Sequence, residues 1–154
     1  MQITETAHPL RVTICGSFNR HLKLVGEALK EFADHHTEVL SPRGIHATGE
    51  EGGFIFLAED GSTDIRTIEN QHLTCIARSD YVWLIAPDGY IGPTTAMEIG
   101  FAIASGVPVY CMHALSALLE DGICSARNYV QSIATIPEAN EKACSRCAHP
   151  VPQP

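Results

Sequence analysis

Positive charge is scarce in this chain of 154 residues: ten Lys and Arg stand against 18 Asp and Glu, a formal charge of −8 with His neutral. That balance argues against nucleic-acid polymers and anionic membranes as main partners, since both are held through an excess of Lys and Arg. It leaves room for one small anion, which needs only backbone N–H groups and a helix end. Long apolar runs are also missing; the longest are strand-length, well short of the roughly 20 residues that span a bilayer. The start, MQITETAHPLR, lacks a basic stretch followed by an apolar run, so no secretory leader is expected. A second CxxC or an HxxxH is absent too. Cys144-Ser145-Arg146-Cys147, with His149 nearby, therefore falls short of the four ligands of structural zinc. Cys111, His113 and Cys124 could complete a set, but nothing in their spacing fixes a geometry. No metal and no cofactor are expected. The six cysteines are scattered, and Cys15, Cys75 and Cys111 lie in segments that read as core, which fits free thiols in a reducing cytoplasm.

What is present is enough apolar material, 45% of residues, for one domain over residues 1–154, with 1–9 as a loose leader and 139–154 as a frayed tail. Arg11–Cys15 is a short β-rich strand, turned by Gly16-Ser17 into His21–Asp34, where Leu22, Val25, Leu29 and Phe32 recur at helical spacing. Thr37–Leu40 reads as a second strand, closed by Ser41-Pro42. Residues 43–62 carry five glycines and read as a long active-site or interface loop, with a short extended piece at Phe54–Leu57. Ser62 or Thr63 is placed to cap a helix over Asp64–Arg78, with Ile65, Ile68, His72 and Ile76 on one face. Buried strands follow at Tyr81–Ala86 and Val107–Cys111, with a Pro/Gly loop and a helix from Thr95 between them. Short helices are expected at Ala114–Glu120 and Ala126–Ile133. Strands alternating with helices predict an α/β fold: a doubly wound parallel sheet of about five strands with helices on both faces.

In such a sheet, ligands bind at the carboxyl ends of the strands. Two groups arrive there. Gly16-Ser17-Phe18-Asn19 couples a close-approach glycine to a helix start, where free N–H groups suit a phosphate and Arg20, His21 or Arg43 can add charge; it is equally a tight turn with a capping Ser. Thr95-Ala96-Met97-Glu98 fits a capping box with Glu98 at its third position. Alternatively Glu98 is a working carboxylate, able to attack a sugar C1 or to stabilise an oxocarbenium-like centre. Asp88 can bind a sugar hydroxyl or simply make a Pro-Asp-Gly turn. His72, beside Ile68 and Ile76, is a core residue or a catalyst.

Three segments, ICGSFNR, IENQHLTCIARSDYVWLIA and PTTAMEIGFAIASGVPVYC, resemble the nucleoside 2-deoxyribosyltransferase-like proteins, most closely the 2'-deoxynucleoside 5'-phosphate N-hydrolases. The likeness spans roughly Arg11–Met112 with order and spacing kept. It implies a flavodoxin-like fold, a homodimer or higher homo-oligomer, and cleavage or transfer of the N-glycosidic bond of a (deoxy)nucleoside or its 5'-monophosphate. The family's nucleophilic Glu falls on Glu98, and its phosphate loop on Gly16, Ser17, Phe18, Asn19 and Arg20. The Thr that many transferases place before that Glu falls on Thr95, with Gly92 and Thr94 in the same loop. The Asn given to a neighbouring subunit's site falls on Asn128. His72 stands where the family carries an Asp that protonates the leaving base; imidazole can serve as that acid near neutral pH. The transferases' Asp-x-Gly-Thr reads Gly92-Pro93-Thr94-Thr95 here. Two other readings remain: a nucleotide-binding or sensing module that kept the pocket without turnover, and a lysine-decarboxylase-like phosphoribohydrolase, whose Pro-Gly-Gly-x-Gly-Thr-x-x-Glu motif PDGYIGPTTAME loosely matches.

Overall fold

The structure is a computed structural model, and it describes residues 8–113 and 129–148. Five parallel strands form its central sheet: β1 (Arg11–Gly16), β2 (Glu38–Ser41), β5 (Tyr81–Ile85), β6 (Val109–Cys111) and β7 (Val130–Ser132), in spatial order β2-β1-β5-β6-β7. Strands β3 (Ala47–Glu51) and β4 (Phe54–Leu57) make a separate antiparallel hairpin. The helices are α1 (Phe18–Asp34), α2 (Ile65–Ala77), α3 (Pro93–Ala104) and α4 (Ile136–Ala148). Counting only sheet strands, the order is 2-1-3-4-5, the flavodoxin-like arrangement. The expected fold class is the observed one.

Period-two alternation along the strands sends their side chains to two cores. Val12, Ile14, Tyr81, Trp83 and Ile85 pack with Val25 and Phe32 of α1 and with Ile136, Ala139 and Ala143 of α4. Cys15, Val82 and Leu84 face the other way, among Ile76 of α2 and Ile99 and Ala102 of α3. Cys15 thus belongs to the α2/α3 face.

Several expectations are corrected. Within the helix expected over 126–133, Val130–Ser132 is instead a strand that pairs in parallel with Val109–Cys111, and the β-branched Val130 and Ile133 fit a sheet edge, while 126–128 lie outside the described residues. The tail is not frayed from 139, since α4 seats Ala139 and Ala143 against the sheet. Asn140 anchors it, accepting from the Tyr81 hydroxyl at 2.7 Å and donating to the Thr37 hydroxyl at 2.9 Å. Burial, with nearby Tyr110, drives the Tyr81 hydroxyl's pKa far up, so it stays a donor. The loop over 43–62 holds the β3–β4 hairpin, turned at Gly52 and Gly53, both at positive φ. Asp64, rather than Ser62 or Thr63, caps α2 by accepting from the Thr67 amide at 3.0 Å. The helix expected at 114–120 lies outside the described residues.

Candidate functional site

Each candidate side chain sits at the strand ends because of where its element begins. β1 and β5 are neighbours whose following helices, α1 and α3, pass to opposite faces of the sheet. A crevice opens at such a switch point. Here it is a cavity of about 410 Å³, bounded by the start of α1, the end of β2, the hairpin, α2 and the start of α3.

Gly16 closes β1 with φ +152°, and a Cβ built on it would lie 2.5 Å from the Ile85 carbonyl oxygen of β5. The chain has to be glycine there for β1 and β5 to stay paired to their tips. Gly16→Ala should therefore lower stability by about 2–3 kcal/mol, read as a drop in the urea midpoint at unchanged slope. Ser17 is the N-cap of α1, yet its side chain makes no capping bond. Its hydroxyl and the first amides of α1, at Phe18 and Asn19, stay available for an anion. Gly16, Ser17, Phe18, Asn19 and Arg20 all line the cavity.

α3 begins two residues earlier than the sequence suggested. Its N-cap is Gly92 and Pro93 is its first helical residue, the position proline favours. Glu98 is therefore the sixth helical residue and is no cap. That removes the capping-box explanation. Glu98 shares the buried stripe of Thr95, Ile99 and Ala102, and it is 6% exposed where the packing asks for an apolar side chain. Among the described residues no Lys or Arg pairs with it. Burial is the main force pushing its pKa up to about 8, with the charge of Glu69 adding to the shift and a hydrogen bond from Cys15 opposing it. Gly92, Thr94 and Thr95 also line the cavity.

α2 sends Ile68, His72 and Ile76 inward, four residues apart. His72 is 7% exposed and its burial lowers its pKa to about 4, so the ring is neutral at pH 7. Both ring nitrogens face protein. Nδ1 is 2.7 Å from the Ser41 hydroxyl at the end of β2. Nε2 lies 3.5 Å from Cys15 Sγ and 3.6 Å from Glu98 Oε1, while Phe18 meets the ring edge-on. A Ser hydroxyl can donate or accept, so Ser41 can serve either tautomer, and His72 can meet Glu98 ionised or protonated.

Asp88 does not line the cavity. It sits on the rim, 3.6 Å from Arg20 and 3.4 Å from His21, while Arg20 lies 3.6 Å above the Tyr90 ring. These contacts tie the β5–α3 loop to the start of α1. Asn128 lies outside the described residues. Cys144 and Cys147 are exposed on α4, away from the cavity.

The sequence reading missed three members of the site. Cys15 precedes Gly16, and its place in a strand core pattern signals packing alone. Ser41 was legible as a strand tip, hence as a residue at the ligand edge. Glu69 lies on the turn of α2 before His72, lines the cavity, and has a buried Oε2 with no hydrogen-bond partner among the described residues. Desolvation raises its pKa. Three carboxyl groups with raised pKa, those of Asp60, Glu69 and Glu98, line this one cavity, a combination expected of acid–base chemistry.

The chain adopts a flavodoxin-like α/β fold with its cavity at the switch point. No family model and no curated protein sequence matches it. Among solved structures it is similar in fold to a conserved protein from Enterococcus faecalis V583, at 14% identity and a TM-score of 0.54, covering 90% of this chain and 99% of that one.

Proposed function

We propose that this chain cleaves or transfers the N-glycosidic bond of a nucleoside or deoxynucleoside, or of its 5'-monophosphate. The observation that carries the reading is Glu98: a carboxyl group with no cationic partner among the described residues, buried in the same cavity as the phosphate-competent start of α1. A buried carboxylate is costly unless something positive comes to it. The developing oxocarbenium centre of a glycosidic reaction is such a charge, and an ionised Glu98 attacks it or shields it.

The other residues take roles around that step. Gly16, Ser17 and the first amides of α1 hold the 5'-phosphate or hydroxyl. Phe18, Phe54 and Ile68 give the base an apolar wall. Neutral His72, pinned by Ser41, holds the Glu98 carboxyl in position. With His72 Nδ1 bound by Ser41 and Nε2 turned toward Cys15 and Glu98, proton delivery to the leaving base is assigned to Glu69, whose Oε2 has no hydrogen-bond partner among the described residues.

The test is incubation with a panel of ribo- and deoxyribonucleosides and their 5'-monophosphates, following free base by chromatography. Base release that Glu98→Ala abolishes is the expected result. No release from any member, or release indifferent to Glu98→Ala, would overturn the reading. Thermal stabilisation by a nucleotide without base release would favour the binding module.

A further inference from the structure

Cys15, His72 and Glu98 come from three different elements, β1, α2 and α3, and their donor atoms converge to within 4.8 Å of one another. All three residues are buried. The glycosidic reading uses Glu98 and finds no chemical role for Cys15. Yet two of the trio's three edges have the dimensions of a coordination shell. Bonds of about 2.3 Å to sulfur and about 2.0–2.1 Å to imidazole nitrogen or carboxylate oxygen, set at tetrahedral angles, place ligand atoms about 3.3–3.6 Å apart. The Cys15 Sγ to His72 Nε2 distance is 3.5 Å and the His72 Nε2 to Glu98 Oε1 distance is 3.6 Å. Both are long for good hydrogen bonds and right for two edges of a metal tetrahedron.

We propose that Cys15 Sγ, His72 Nε2 and Glu98 Oε1 form a three-ligand site for a thiophilic divalent cation of the zinc class, with its fourth position facing the cavity.

Three independent features support the site. The first is the ring of His72. Metal-bound imidazole is held by a partner on its second nitrogen, and Ser41 Oγ stands 2.7 Å from Nδ1 in that role. The second is charge. A thiolate and a carboxylate together balance a divalent ion, so the filled site is neutral in a buried setting where either anion alone is costly. The third is donor softness: sulfur, imidazole and one oxygen suit zinc or cobalt rather than magnesium or calcium. Three protein ligands with one open position are the pattern of reactive rather than structural zinc. On binding, the Cys15 thiol and the Glu98 carboxyl lose their protons to solvent as the two bonds to the ion form. An ion there occupies the carboxylate that the glycosidic reading needs free, so under that reading zinc inhibits base release and a chelator restores it.

The experiment uses Co²⁺ and Zn²⁺ with the full chain in metal-free buffer, alongside a Cys144→Ser/Cys147→Ser variant that removes the exposed thiol pair of α4. Expected is one Co²⁺ per chain in both proteins, with a thiolate-to-cobalt charge-transfer band, strong visible bands of tetrahedral cobalt, and displacement by Zn²⁺. Cys15→Ser should abolish the charge-transfer band. Ser41→Ala should weaken binding about 10- to 100-fold without changing the band's origin. Because Cys15 is wholly buried, folding of its variant is checked by circular dichroism, and Glu98→Gln and His72→Gln give a second route, each weakening Co²⁺ at least about tenfold. No charge-transfer band in the Cys144→Ser/Cys147→Ser protein overturns the site. So does a Co²⁺ affinity unmoved by both Glu98→Gln and His72→Gln. Cobalt uptake without base release from any nucleotide keeps the site and removes the glycosidic reading; base release without uptake does the reverse.

Discussion

Replacing Glu98 with Gln should cut base release by about 10³-fold or more and, in the same protein, raise stability at alkaline pH. The two effects share one cause. An ionised carboxyl group in this cavity lacks solvent and, among the described residues, a cation, which makes it useful to a developing positive charge and unfavourable in its absence. The pH window follows from the folded pKa of about 8 against the ordinary 4.5. Below the ordinary value both folded and unfolded chains carry the proton, and Glu98 contributes no penalty. Between the two values the unfolded chain has lost the proton and the folded chain keeps it, so stability falls as pH rises. Above about 8 the penalty is constant.

Glutamine does not titrate, so the advantage of Glu98→Gln should be near zero in mild acid, open through neutral pH and level off in mild alkali. Its full size is on the order of 2–4 kcal/mol, reduced by whatever hydrogen bonds the amide leaves unmade. Thermal melts of both proteins from pH 4 to 9, with a chelator present to keep cations from Cys15 and His72, should show the two curves diverging. Parallel curves across that range would mean that Glu98 ionises normally, and the proposed strain at the site would be gone.

Glu69→Gln should lower turnover of an unmodified purine substrate by about 10²-fold, the range typical of a lost general acid. The decisive comparison is with a substrate whose base needs no proton. An N7-methylated purine already carries a positive charge and leaves as a neutral base. With that leaving group the Glu69→Gln protein should recover to near the parent rate, whereas Glu98→Gln should stay inactive on both. Equal losses on both substrates would show that Glu69 acts on binding or folding rather than on the leaving base. Removing the Glu69 charge also takes away one of the influences that raise the Glu98 pKa, so the alkaline penalty of the parent should shrink in this variant. His72→Gln should leave the leaving-group comparison unchanged, because the ring is neutral and enclosed by Ser41, Cys15 and Glu98.

The strands were legible where burial on both faces leaves a β-branched, apolar run. Arg11–Cys15, Tyr81–Ala86 and Val107–Cys111 all stand close to where they were expected, as does the helix that carries Ile68, His72 and Ile76. The last strand and the last helix were not. Val130–Ser132 has three residues and no alternation to read, and only the exposed edge of β6 makes it a strand. Helix α4 carries a polar sequence with small core contacts, Ala139 and Ala143, whose burial depends on the sheet face waiting for them.

By itself the sequence determined the alternating α/β order, and with it the meeting of the Gly16-Ser17 turn and Glu98 at one edge of a parallel sheet. Local periodicity suffices for that, because parallel crossovers return every strand in the same direction. Only the tertiary structure decided what Glu98 is. Starting α3 at Pro93 moves Glu98 past the capping turn and onto the buried stripe, and packing that stripe against β1 and α2 brings it to His72 and Cys15. Position along the chain sets which residues reach the edge; burial and distance set their ionisation, and neither is written in the spacing of residues.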